Sequence, residues 1–124
     1  MNRKILVVED NEQNMYLVTF ILKNAGHEVL QAYNGMDGVS MAEQYLPDLI
    51  LLDIQLPKMD GYVVSRILRK NKKLARIPII AITSYAMPGD REHALAAGCT
   101  GYIEKPINPE TFINQVEAYF KSGS

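Results

Sequence analysis

Asp48-Leu49-Ile50-Leu51-Leu52-Asp53 sets four consecutive aliphatic residues between two carboxylates. The run does not alternate polar with apolar, so it reads as a strand covered on both faces, as in a parallel sheet flanked by helices. Ile5–Val8 and Pro78–Thr83 have the same character. Glu28–Tyr33 is mixed, which suits a strand near an edge, and Gly101-Tyr102-Ile103 is a short fifth run. The runs recur at intervals of roughly 20–25 residues, enough for one βα unit each.

Helical patterns fill the intervals. Met15, Val18, Ile21, Leu22 and Ala25 repeat at helical spacing, with Gly26 as a C-terminal stop. Asn34-Gly35 marks a turn before a second helix carrying Val39, Ala42 and Leu46, closed by Pro47. Asp60-Gly61 opens a third, with Val63, Val64, Ile67 and Leu68 as its apolar face. A fourth is expected to start at Pro88, with Ala94, Leu95 and Ala97 inside and Gly98 past its end. Asn108-Pro109 opens a fifth, with Phe112, Val116, Tyr119 and Phe120. Five strands, each followed by a helix, predict an α/β doubly wound parallel sheet; 2-1-3-4-5 is a standard strand order for it.

The 124 residues fit one domain, and 48% hydrophobic content supplies its core. A formal net charge of −1 gives no global reason to expect nucleic acid. No segment is long and apolar enough for a signal peptide's hydrophobic region or a bilayer span, so no membrane partner is expected. The single cysteine, Cys99, excludes an intrachain disulfide, and a cytoplasmic setting is the simplest reading.

In an open α/β sheet, ligands bind beyond the carboxyl ends of the strands. Those ends carry Glu9-Asp10, Asp53, Thr83-Ser84 and Glu104-Lys105-Pro106. With strands one, three and four adjacent, Glu9, Asp10 and Asp53 share a pocket, with Thr83 and Lys105 on its rim. Three such carboxylates call for protonation or a cation, and hard oxygen ligands suit Mg2+. Carboxylate nucleophile, metal, lysine and hydroxyl together are what phosphoryl transfer needs, with Asp53 on the middle strand as the natural acceptor.

Val8-Glu9-Asp10-Asn11, the stretch Leu52–Gly61, Ala81-Ile82-Thr83-Ser84 and Tyr102-Ile103-Glu104-Lys105-Pro106 resemble the receiver domains of two-component response regulators over essentially the whole chain. The likeness is strongest to single-domain receivers of the DivK kind. It implies a flavodoxin-like (βα)5 fold and one receiver domain over residues 1–124 without an output domain. It implies that Asp53 takes a phosphoryl group from a histidine kinase or histidine phosphotransfer protein. Asp10, Asp53 and the backbone carbonyl of Gln55 would bind Mg2+, with Glu9 acting through water. Thr83 and Tyr102 would be the switch pair. Lys105 would contact the phosphoryl oxygens, and the Lys105-Pro106 bond would be cis. A downstream protein would bind the face of helix four, strand five and helix five, with the receiver a monomer or weak dimer. Side chains at Gln55 and Tyr85 would tune phosphoryl lifetime, a bulky Tyr85 favouring slow hydrolysis.

A haloacid-dehalogenase-type phosphatase would need an acid where Gln55 stands, and a flavin carrier would need a phosphate cradle where Glu9-Asp10-Asn11-Glu12 stands. Met1 and the short lead-in favour a stand-alone regulator over a receiver excised from a hybrid kinase. Arg66, Arg69, Lys70, Lys72, Lys73 and Arg76 read as a solvated face, with docking to an acidic partner as the alternative. His27 and His93 read as surface or helix-end residues, and Cys99 as small and buried. Met15, Met41, Met59 and Met87 read as core or loop packing.

Overall fold

The computed structural model describes residues 3–56, 59–84 and 89–122, with side chains described through residue 120. Tyr85, Met87 and Pro88, and with them the expected start of the fourth helix, lie outside the described residues. The strands are β1 (Lys4–Val8), β2 (Glu28–Ala32), β3 (Leu49–Asp53), β4 (Ile79–Thr83) and β5 (Gly101–Glu104). The helices are α1 (Glu12–Asn24), α2 (Gly35–Tyr45), α3 (Gly61–Lys70), α4 (Asp90–Ala96) and α5 (Pro109–Ser122), and a 3-10 turn spans Lys72–Leu74. The strands form one sheet in the order β2-β1-β3-β4-β5, every neighbouring pair parallel.

The unalternating runs are buried on both faces because successive side chains point opposite ways. Leu6, Val8, Ile50 and Leu52 join one core with Val64 and Leu68 of α3. Ile5, Val7, Leu49 and Leu51 join the other, with Met15, Val18 and Leu22 of α1 and Phe112 and Val116 of α5. β2, at the edge, is partly exposed, as its mixed composition predicts.

Helix starts follow their capping residues. The side chains of Asn11, Asn34 and Asp60 accept hydrogen bonds from the amides of Asn14, Asp37 and Tyr62, and Asn108 does the same for Glu110. Gly26 and Gly98 stop α1 and α4 at φ of 92° and 96°, where a side chain would be strained.

Three apolar assignments are corrected. Leu46 closes α2 in a left-handed conformation and stays 48% exposed, Leu95 is 49% exposed and Val63 40%. Each lies at the margin of a helical stripe. α4 in particular buries only the small residue Ala94, with Ala97 just past its end, leaving Leu95 outside.

Two polar assignments are also corrected. His27 is buried: its Nδ1 accepts the Arg3 amide and its Nε2 lies 2.9 Å from a Glu117 carboxylate oxygen, so it fastens α5 to the start of β2. Arg69 does not belong to a solvated face. Its guanidinium donates to the carbonyls of Gly98, Leu74, Ala75 and Ile77 and to the Thr100 hydroxyl, closing the turn after α3 onto the approach to β5. His93 is exposed but stacked on Tyr62, ring centroids 4.0 Å apart. Cys99 is buried and its thiol donates to Ser65 at 3.5 Å, with burial pushing the thiol pKa up.

Candidate functional site

The register of the parallel strands builds the site. Val8 lies beside Leu52 and Asp53 beside Ile82, so the residues after β1 and the ends of β3 and β4 share one edge. Carboxylate oxygens of Glu9, Asp10 and Asp53 lie within 4.8 Å of one another. Asp53 is only 3% exposed, Glu9 is buried and Asp10 is open to solvent. The cluster is therefore sealed below and accessible from one side.

Lys105 reaches the cluster from beyond β5. Its backbone amide donates to the Thr83 carbonyl at 2.8 Å, which sets the loop against β4. Its ammonium nitrogen then stands 3.3 Å from Asp53 and 3.7 Å from Glu9. The Lys105-Pro106 peptide bond is cis. Thr83 is buried at the end of β4, and Tyr102 is partly buried against the core beneath α4.

One ammonium does not neutralise three carboxylates. Burial above all, and then a hydrogen bond with Asp53, push the Glu9 carboxyl up from 4.5 to about 7, although the Asn11 amide and the Lys105 ammonium pull it down. This oxygen-only donor set, anionic and solvent-accessible at Asp10, fits a hard divalent cation that keeps part of its water shell.

The loops around Asp53 are tied in ways the sequence did not signal. The Gln55 amide donates to one Asp53 carboxylate oxygen at 2.9 Å. The Gln55 side-chain carbonyl accepts both the amide and the hydroxyl of Ser84, at 3.2 and 2.7 Å, joining the loops after β3 and β4. Ser84 follows Gln55 by 29 residues, so no local pattern announces the contact.

Gly61 lets α3 start close under this loop. A Cβ there would lie 2.6 Å from both the Asp53 carbonyl oxygen and the Ile54 Cα, backbone atoms that cannot turn aside. Gly61→Ala is expected to cost about 1–3 kcal/mol by forcing α3 away from this loop. Denaturant melts check it, and a neutral substitution would show that α3 can back away freely.

Residues 5–117 match the model of the response regulator receiver domain. The chain belongs to that family. The polar-differentiation response regulator DivK of Brucella anthropi is 40% identical over 119 residues, covering 96% of this receiver and 97% of that protein. The receiver domain of sensor histidine kinase PA1611 from Pseudomonas aeruginosa is 35% identical with a TM-score of 0.89, covering 98% of this receiver and 99% of that one; its structure has a magnesium ion coordinated in the active site cleft. Chemotaxis protein CheY4 of Vibrio cholerae superposes with a TM-score of 0.90 at 29% identity, covering 95% of this receiver and 98% of that chain. The receiver is thus a two-component signalling protein of the phosphoacceptor class rather than a classical-type enzyme, from a family that binds Mg2+. No helix among the described residues is long and apolar enough to cross a membrane.

Proposed function

We propose that this receiver accepts a phosphoryl group on Asp53 from the phosphohistidine of a histidine kinase or phosphotransfer protein, and that the modified form controls a protein partner in the cytoplasm. One observation carries the reading: a nearly buried carboxylate at the end of the central strand, with two further carboxylates within 4.8 Å and an ammonium at 3.3 Å.

Asp10, Asp53 and the Gln55 carbonyl would hold Mg2+, with Glu9 acting through water. When bound, the ion would supply positive charge against the phosphoryl oxygens. The Asp53 carboxylate attacks in line; its bond to phosphorus forms as the phosphorus–nitrogen bond of the donor breaks. The Gln55 amide orients the nucleophile, and Lys105, already beside Asp53, pairs with a phosphoryl oxygen. Gln55 offers no acid or base for hydrolytic turnover, and its side chain is engaged with Ser84, which supports an acceptor over a phosphatase.

The new charge, about −1.5 to −2 at neutral pH, would draw the Thr83 hydroxyl toward it. Because Thr83 ends β4, such a movement would pull on the loop before α4, and Tyr102 would move inward with it. The face of α4, β5 and α5 would then change for the partner. Residues 1–124 would act as one domain, monomeric or weakly dimeric.

Incubation with acetyl phosphate and Mg2+, followed by intact-protein mass, tests the reading. A phosphoryl adduct is expected in wild type and is expected to vanish in Asp53→Asn and after chelation. An equal adduct in Asp53→Asn would refute the assignment.

A further inference from the structure

Six of the 13 basic residues fall between Arg66 and Arg76, leaving seven basic residues to all 14 acidic ones in the rest of the chain. Arg69 turns inward as a backbone clamp. The other five, Arg66, Lys70, Lys72, Lys73 and Arg76, are exposed, and none joins an ion pair among the described residues. Lys70 is explained as a cation in the last turn of α3, where it meets the negative end of the helix dipole. Lys72, Lys73 and Arg76 lie past that helix and have no such explanation.

Two features make the patch a built surface. Arg69 holds the carbonyls of Leu74, Ala75 and Ile77, so the backbone beneath the outer cations is fixed. The segment also leads into the start of β4, whereas Asp53 ends β3, so patch and acceptor occupy opposite ends of a parallel sheet.

We propose that this basic end docks a compact, carboxylate-rich surface of a partner protein at the pole opposite Asp53. A bilayer suits it less well: Arg66–Arg76 itself exposes no large hydrophobic side chain, and the end of α2 beside it, tied on by Asn71 donating to Glu43, brings a carboxylate along with the exposed Tyr45 and Leu46. Nucleic acid suits it less well too, because no aromatic residue lies among the cations to stack on bases. The acidic remainder of the chain also repels any polyanion that extends past the patch, as duplex DNA does and a compact acidic surface does not. Docking there leaves the phosphoryl site open, so both can be occupied together. The proposal does not depend on Asp53 being the acceptor.

The test is fluorescence anisotropy at low salt, using a labelled peptide of about ten glutamates, with duplex DNA and phosphatidylglycerol vesicles as competing probes at equal charge. The peptide is expected to bind wild type and Lys72→Arg/Lys73→Arg. It should bind Lys72→Glu/Lys73→Glu/Arg76→Glu at least about tenfold more weakly. Labelling by acetyl phosphate and thermal unfolding should be the same in all three. Absence of peptide binding to wild type, equal binding by the charge-reversed variant, or tighter binding of DNA or vesicles would overturn the proposal.

Discussion

Arg69→Ala is expected to destabilise the receiver by about 3–4 kcal/mol and lower its melting temperature by roughly 10 °C or more. The side chain donates five hydrogen bonds, to the carbonyls of Leu74, Ala75, Ile77 and Gly98 and to the Thr100 hydroxyl. It thereby joins the turn after α3 to the connection between α4 and β5. Bonds from a charged donor are each worth more than neutral ones, but a shared donor makes their loss less than additive. Burial pushes the guanidinium pKa down, and among the described residues the charge is held by carbonyl dipoles and no carboxylate pairs with it. Arg69→Lys should recover little, because one ammonium cannot reproduce the planar fork. Thermal unfolding followed by circular dichroism measures both. A loss below about 1 kcal/mol would mean that water satisfies the freed carbonyls and that the clamp is dispensable.

Glu9→Gln is expected to stabilise the metal-free receiver at pH 8 by about 1–3 kcal/mol. The Glu9 carboxyl rises from 4.5 to about 7 on folding, because burial disfavours its charge and its protonated form hydrogen-bonds Asp53. Its native value lies above the unfolded one, so the native state holds more protons between these limits. Stability contributed by Glu9 is therefore full below about pH 4.5, falls as pH rises toward 7, and is gone above it. Glutamine has no charge to desolvate and should remove that slope. Urea unfolding at pH 4.5, 6 and 8 in chelator tests it. Parallel stability curves for wild type and variant would show that Glu9 is not the strained carboxyl. Adding Mg2+ should stabilise wild type more than Glu9→Gln, since the cation relieves the crowding that the variant has already lost.

Such crowding of like charges is tolerated where function uses it, and that is why the site was legible early. Glu9, Asp10, Asp53, Thr83 and Lys105 stand at strand ends, and strand ends follow from apolar runs too continuous to be anything but buried parallel strands. The order of the sheet then brings the residues together without any side-chain detail. The runs Asp48–Asp53 and Pro78–Thr83 differ from β3 and β4 by only one residue at their starts for the same reason.

What stayed illegible depends on contacts remote in sequence. Arg69 sits in a basic run and reads as solvated, yet its bond to Gly98 spans 29 residues. His27 reads as a lone surface residue because Glu117, its partner, is 90 residues away. Val63, Leu46 and Leu95 satisfied an apolar period but lie at the edges of stripes whose width only packing decides. Periodicity fixes which face turns inward, not how far around the helix the neighbouring element reaches.

The central claim is that Asp53 itself carries the phosphoryl group, and borohydride trapping tests it most directly. Borohydride reduces an aspartyl phosphate to homoserine, which peptide mass spectrometry locates. After acetyl phosphate and Mg2+, homoserine is expected at position 53 alone. Homoserine at position 10, or none in protein that gains the phosphoryl mass, would contradict the account.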